Sequence, residues 1–154
     1  MSEHKAIISW KRTSGEFLKG KYSREHTWTF DGGLTIPASP TPAVVPVPYS
    51  NQANVDPEEA FVAAVSSCHM LTFFYLAGKQ GFQVDTYHDE ALGTMAKSER
   101  GIPWVSSITQ IAYSGAKLPT IQEQEKLHHL SHEQCYISNS IKTNVTVAGQ
   151  ALKT

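Results

Sequence analysis

The stretch PEEAFVAAVSSCHMLTFFYLAGKQG, residues 57–81, constrains the fold of this chain more than any other. Asp56 suits an N-cap, Pro57 suits the first helical position, and Glu59 stands where a capping-box acid belongs. Phe61, Val65, Cys68, Thr72 and Leu76 recur at helical spacing and share one face. Ala63, Ala64, Met70, Leu71 and Phe74 make the other faces apolar too, so the sequence predicts a helix covered on most sides. Ala60 to Ala77 approaches the length of a membrane span, but Ser66, Ser67, His69 and Thr72 interrupt it. The expectation is a helix inside protein, with no membrane.

Around that helix the elements alternate. KAIISWKR at 5–12, HTWTFD at 26–31 and LTIPA after the DGG turn carry the β-branched and aromatic content of strands. A proline-rich loop at about 37–48 follows, with Pro37, Pro40, Pro42, Pro46 and Pro48 removing ladder donors. Residues 83–96 and 103–114 read as a pair of long strands around the turn SERGIP. Thr120 and Glu123 stand at capping-box spacing and open a second helix whose tail, KLHHLSHEQCYISNSI, carries Cys135. KTNVTVA at 142–148 closes the chain as a strand. The order predicts an α+β fold, antiparallel sheet packed on helices, in a single domain spanning 1–154.

The formal net charge is −1 and no Lys/Arg block stands out, which argues against a nucleic-acid partner. The start MSEHKAIISWKR lacks the charged-then-apolar pattern of a signal peptide, so a cytoplasmic location is expected. In that compartment stable disulfides are rare, and two cysteines are redox-active, metal-binding or inert.

Cys68 alone reads as a small hydrophobe on an apolar helix. Its neighbours Ser66, Ser67 and His69 are polar where a core would be aliphatic, and Cys135 has equally polar surroundings. His128, His132 and Cys135 could share a face and, with Cys68, form a two-His, two-Cys zinc site, although closely spaced ligand pairs are missing. Serine hydrolysis is weaker: Ser66, Ser67 and Ser138 are available, without a G-x-S-x-G elbow or an acid placed with a histidine.

At the level of motifs the chain resembles the OsmC/Ohr family, the osmotically inducible protein C-like and organic hydroperoxide resistance proteins. DPEEAFVAAVSSC is similar to the family's N-P-E-x-L-F-A-A-x-x-x-x-C, with Asp56 for the usual Asn. HEQCYISNS is similar to its H-x-x-C-P-x-S-N, with Tyr136 where proline is usual. His69 replaces the aromatic residue that commonly follows the first cysteine, and the proline-rich loop is longer than usual.

The resemblance implies antiparallel sheets wrapped around two central helices in an intertwined homodimer. It implies a cysteine-based peroxidase for organic hydroperoxides, an antioxidant oxidoreductase of the oxidative stress response. Cys68 would be the peroxidatic thiolate and Cys135 the resolving thiol. Glu58 would be the supporting carboxylate and Arg24, with Arg12 as the fallback, the supporting arginine. No cofactor would be bound; an external dithiol, small or protein-bound such as lipoyl, would restore the thiols. The alternative is a metal-binding or apolar-ligand-binding module on the same fold.

These roles suit the chemistry. A buried thiol is hard to ionise, and a guanidinium that stays charged reverses that. Glu58 could orient the guanidinium through a bidentate pair. An apolar lining from Phe61, Met70, Phe73 and Phe74 would favour an organic peroxide. Glu58 and Cys68, ten residues apart on one helix, are separated by roughly 15 Å of rise. Glu58 is therefore expected to meet a Cys68 from a two-fold partner.

Overall fold

A computed structural model describes residues 2–99 and 103–151. The middle of the expected SERGIP turn, 100–102, lies outside the described residues. The chain forms two compact units, 1–60 and 61–154.

In the first unit, β1 (Ala6–Ser9), β2 (His26–Phe30) and β3 (Thr35–Ala38) form an antiparallel sheet in the order β1-β2-β3. Trp28 stands opposite Ile8 on one side and Ile36 on the other. β1 stops at Ser9, earlier than expected, because the chain turns away: the Trp10 indole N–H donates to the Ser23 carbonyl at 3.0 Å. A short 3-10 turn, Phe17–Lys19, closes on Gly20 at φ 70°, a left-handed conformation that glycine adopts without steric cost. The proline-rich segment is tied down. Ser39 N–H donates to Val55 O at 3.0 Å, and Ser39 Oγ accepts from Asn51 N–H at 2.8 Å.

The helix α1 runs Pro57–Lys79. Its start is the expected capping box: Asp56 Oδ1 accepts from Glu59 N–H at 2.8 Å and Glu59 Oε2 from Asp56 N–H at 3.3 Å.

In the second unit, β4 (Thr86–Asp89), β5 (Leu92–Lys97), β6 (Pro103–Ser114) and β7 (Val145–Ala151) form one sheet, with α2 (Ile121–Gln134) between β6 and β7 in sequence. The long strand expected at 83–96 is broken at residues 90–91, yet Asp89 pairs with Ile111 and Leu92 with Ile108, so one register continues across the break. The sheets are antiparallel as expected in the pairings of β1 to β6, and β7 adds a strand parallel to β6. The physical reason is the intervening helix: a crossover of that length returns the chain to the same end of the sheet. β7 also begins at Val145 rather than 142. The capping box expected of α2 forms, with Thr120 Oγ1 accepting from Glu123 N–H and Glu123 Oε2 from Thr120 N–H.

The core of this unit joins Phe73, Leu76 and Ala77 of α1 to Leu127 of α2, with Phe82, Val84 and Leu130 packed around them. Among the described residues, only one face of α1 is fully buried. Leu71 is 61% exposed and Tyr75 57%, against the expectation of cover on most sides.

Candidate active site

Cys68 stands in the middle of α1 and Cys135 at the C-cap of α2. Cys135 leaves helical geometry (φ −70°, ψ 117°), which ends α2 and turns its side chain inward, 0% exposed. Its sulfur lies 2.7 Å from that of Cys68, which is partly exposed; both thiols are free. That separation leaves only a small movement to a disulfide bond of about 2.05 Å.

The turn after α2 is held by its own hydrogen bonds. Asn139 Nδ2 donates to the carbonyls of Glu133 (2.7 Å) and Cys135 (3.0 Å), satisfying acceptors that the helix end leaves open. Asn139 N–H also donates to Cys135 O at 3.1 Å, and Ser140 Oγ to Tyr136 O at 2.8 Å. So fixed, the backbone N–H groups of Tyr136 and Ile137 lie near enough to Cys68 Sγ to favour its thiolate, and those of Ile137 and Ser138 do the same at Cys135 Sγ.

The two thiols differ in consequence. Burial pushes the Cys68 thiol up, the neighbouring Cys135 adds to this, and the N–H groups of Ile137 and Tyr136 only partly oppose it. Burial also works against ionisation of Cys135. The nearby Cys68 thiol, the Ser138 hydroxyl and the N–H groups of Ser138 and Ile137 together outweigh it, so this thiol sits below its ordinary value. Two sulfurs this close hold one negative charge more readily than two.

The other residues expected at the site lie in the first unit. Arg24 Nη1 donates to the carbonyls of Gly20 (3.0 Å) and Tyr22 (2.8 Å), and the guanidinium sits 4.2 Å above the Tyr22 ring. Arg12 Nη1 donates to Gly15 O at 3.0 Å in an exposed loop. Glu58 is half-buried in the first turn of α1. Because Glu59 closes the capping box, the Glu58 carboxylate makes no hydrogen bond or ion pair among the described residues. The expected Glu58–Arg24 pair is likewise not formed within the chain.

Among the described residues, no group of three or more His, Cys, Asp or Glu side chains is arranged to hold a metal. The face proposed for zinc is taken apart: Cys135 has left the helix, and His128 Nδ1 is 3.1 Å from Nε2 of a buried His69. Phe73, expected in an apolar lining, is instead core at 0% exposure and stacks on His128 at 4.7 Å. Two pairings escaped the sequence reading, His69–His128 and Ser66 Oγ donating to Asp89 Oδ2. The signal was present: polar residues in an apolar helix need partners.

Comparison with known proteins bears on this arrangement. The family described as OsmC-like protein matches residues 50–148. The chain belongs to the OsmC family. An OsmC-like protein of unknown function from Vibrio cholerae O1 biovar eltor is 51% identical over 97% of this chain and 100% of its own, with a TM-score of 0.90. An organic hydroperoxide resistance protein from Elizabethkingia anophelis has a TM-score of 0.73 at 17% identity, covering 100% of this chain and 98% of its own. The organic hydroperoxide resistance protein OhrB of Bacillus subtilis has 0.64 at 20%, covering 96% and 98%. These last two share the OsmC fold. No curated protein matches the chain.

Proposed function

We propose that this OsmC protein is a thiol peroxidase reducing organic hydroperoxides to alcohols. The observation that carries the reading is the 2.7 Å approach of Cys68 and Cys135, 67 residues apart in sequence. The names of the hydroperoxide resistance relatives supply the substrate class.

The Cys68 thiolate attacks the terminal oxygen of the hydroperoxide. An S–O bond forms, the O–O bond breaks, and the leaving alkoxide takes a proton to become the alcohol. Cys68 is then a sulfenic acid, which the Cys135 thiolate attacks to form the disulfide, the sulfenic oxygen leaving as water with a proton. A cytoplasmic dithiol, small or protein-bound such as a lipoyl group, takes the disulfide back to two thiols. No resident cofactor is required. Arg24 is assigned the positive charge that favours the Cys68 thiolate, and Glu58 the carboxylate that orients it.

The functional unit is proposed as a homodimer. The bare face of α1, with Leu71, Phe74 and Tyr75 beside the small residues Ala63 and Ala64, is apolar surface that a second copy would cover. The free carboxylate of Glu58 would then reach the partner's site.

Cumene hydroperoxide consumption with dithiothreitol tests the reading. Cys68→Ser is expected to abolish turnover and Cys135→Ser to stall it after one oxidation. Undiminished turnover in Cys68→Ser overturns the assignment. Sedimentation velocity tests assembly, with a dimer expected for wild type and Leu71→Glu driving it to monomer.

A further inference from the structure

The reduction of a disulfide has a direction: one sulfur is attacked and the other leaves. Which is which depends on access along the S–S axis and on the stability of the departing thiolate. The two cysteines differ in both respects. Cys135 is 0% exposed while Cys68 is partly open. Cys135 also has the Ser138 hydroxyl and backbone N–H beside it, which Cys68 lacks. The Ser138 side-chain oxygen is buried, forms no hydrogen bond of normal geometry among the described residues, and lies close enough to Cys135 Sγ to favour its thiolate. The Ser138 N–H lies near the same sulfur, while the Ile137 N–H lies near both. Asn139 fixes the segment by gripping the last carbonyls of α2, so these donors are in place before any charge develops.

We propose that the turn Tyr136–Ser138 holds Cys135 as the leaving sulfur when the Cys68–Cys135 disulfide is reduced, so that the reductant enters at Cys68, with Ser138 as the positioning residue. This rests on the disulfide-forming chemistry proposed above. The first thiolate of the dithiol attacks Cys68 Sγ from the side away from Cys135. A mixed disulfide forms at Cys68, the protein S–S bond breaks, and its electron pair goes to Cys135 Sγ among the donors of the turn. The second thiol of the reductant then attacks its own sulfur in the mixed disulfide. Cys68 is released as a thiolate and the reductant leaves as a disulfide. Two electrons pass from reductant to protein, and the two protons of the dithiol go to the two cysteines.

The direction can be read without a peroxide. Full-length protein is oxidised with diamide, exposed briefly to the monothiol 2-mercaptoethanol, unfolded in acid, alkylated and mapped by peptide mass. The expected product carries mercaptoethanol on Cys68 and the alkyl group on Cys135; the reverse pattern overturns the proposal. Reduction of the diamide-oxidised protein by dithiothreitol is expected to slow roughly three- to tenfold in Ser138→Ala, the loss of one charge-assisted donor, and to recover in Ser138→Thr. An unchanged rate in Ser138→Ala removes Ser138 from the role. If diamide yields no Cys68–Cys135 disulfide, both this inference and the peroxidase reading fall. If it does and hydroperoxide is not consumed, only the peroxidase reading falls.

Discussion

His69 of α1 and His128 of α2 meet ring to ring in the interior, Nε2 to Nδ1 at 3.1 Å with centroids 5.4 Å apart. One nitrogen must donate and the other accept, so the accepting ring is neutral and the contact is lost once both rings are protonated. Burial pushes His69 down to about 4, with His128 and His132 repelling its charged form. Burial alone takes His128 to about 4. Unfolded, each histidine takes its proton near pH 6.5. The folded values are depressed, so the stabilising difference is full above about pH 6.5 and is lost as pH falls toward 4. The loss at pH 5 should be on the order of 2 kcal/mol per histidine. Urea unfolding at pH 7 and pH 5 checks this. Wild type should lose a few kcal/mol, and His69→Phe should show a shallower fall whatever its absolute stability.

Asn139 closes the end of α2 onto the carbonyls of Glu133 and Cys135. Asn139→Ala leaves those acceptors to water and frees the turn that carries the N–H donors. A stability loss of about 1–2 kcal/mol is expected, since two side-chain hydrogen bonds are lost. Disulfide formation by diamide should slow as well, because Cys135 no longer leaves the helix at a fixed angle. Leu127→Ala serves as the contrast: it should cost about 2–5 kcal/mol by opening a core cavity. Its disulfide should form at close to the wild-type rate, as α2 still ends in the same cap.

Much of this was legible in the residues. Asp56, Pro57 and Glu59 place the start of α1, and Thr120 with Glu123 places α2, because caps are local chemistry that tertiary packing seldom overrides. The direction of β7 was not legible, since strand composition carries no information on parallel or antiparallel pairing; only the position of α2 between β6 and β7 does. The one-sided cover of α1 was missed for a different reason. An all-round apolar helix states that it must be buried, without stating by which chain. His69 read as a polar neighbour of Cys68, yet successive helical residues point about 100° apart, and it belongs to the buried face with Val65 and Phe73.

Arg24 and Arg12 are distinguished by how they are held. Arg24 is fixed by two carbonyls and an aromatic face, and uses only Nη1 for its hydrogen bonds among the described residues. Arg12 is anchored to Gly15 in an exposed loop. A fixed guanidinium loses less entropy on meeting a thiolate, so Arg24→Ala should raise the Cys68 thiol pKa by about one unit or more and slow peroxide reduction at neutral pH at least about tenfold. Arg12→Ala should change neither. The ultraviolet absorbance of the thiolate against pH, in a Cys135→Ser background, reads the first effect. A shift in Arg12→Ala alone would move the assignment.

Tyr136 offers a test confined to one backbone hydrogen. Its ring is 86% exposed, so its contribution to packing is slight, while its N–H lies near Cys68 Sγ. The family motif usually has proline here, and proline has no N–H to give. Cys135 already holds ψ at 117°, the extended conformation that a following proline favours, so Tyr136→Pro fits the backbone before it. Losing a donor to a charged sulfur, worth roughly 1.5 kcal/mol or more, should raise the Cys68 thiol pKa by about one unit. Tyr136→Phe should leave it alone. Because burial and the neighbouring thiol already push Cys68 up, the proline variant should lose peroxide reactivity most at low pH and regain it as pH rises through the new pKa. Equal pH profiles for the proline and phenylalanine variants would show that this N–H does not stabilise the thiolate.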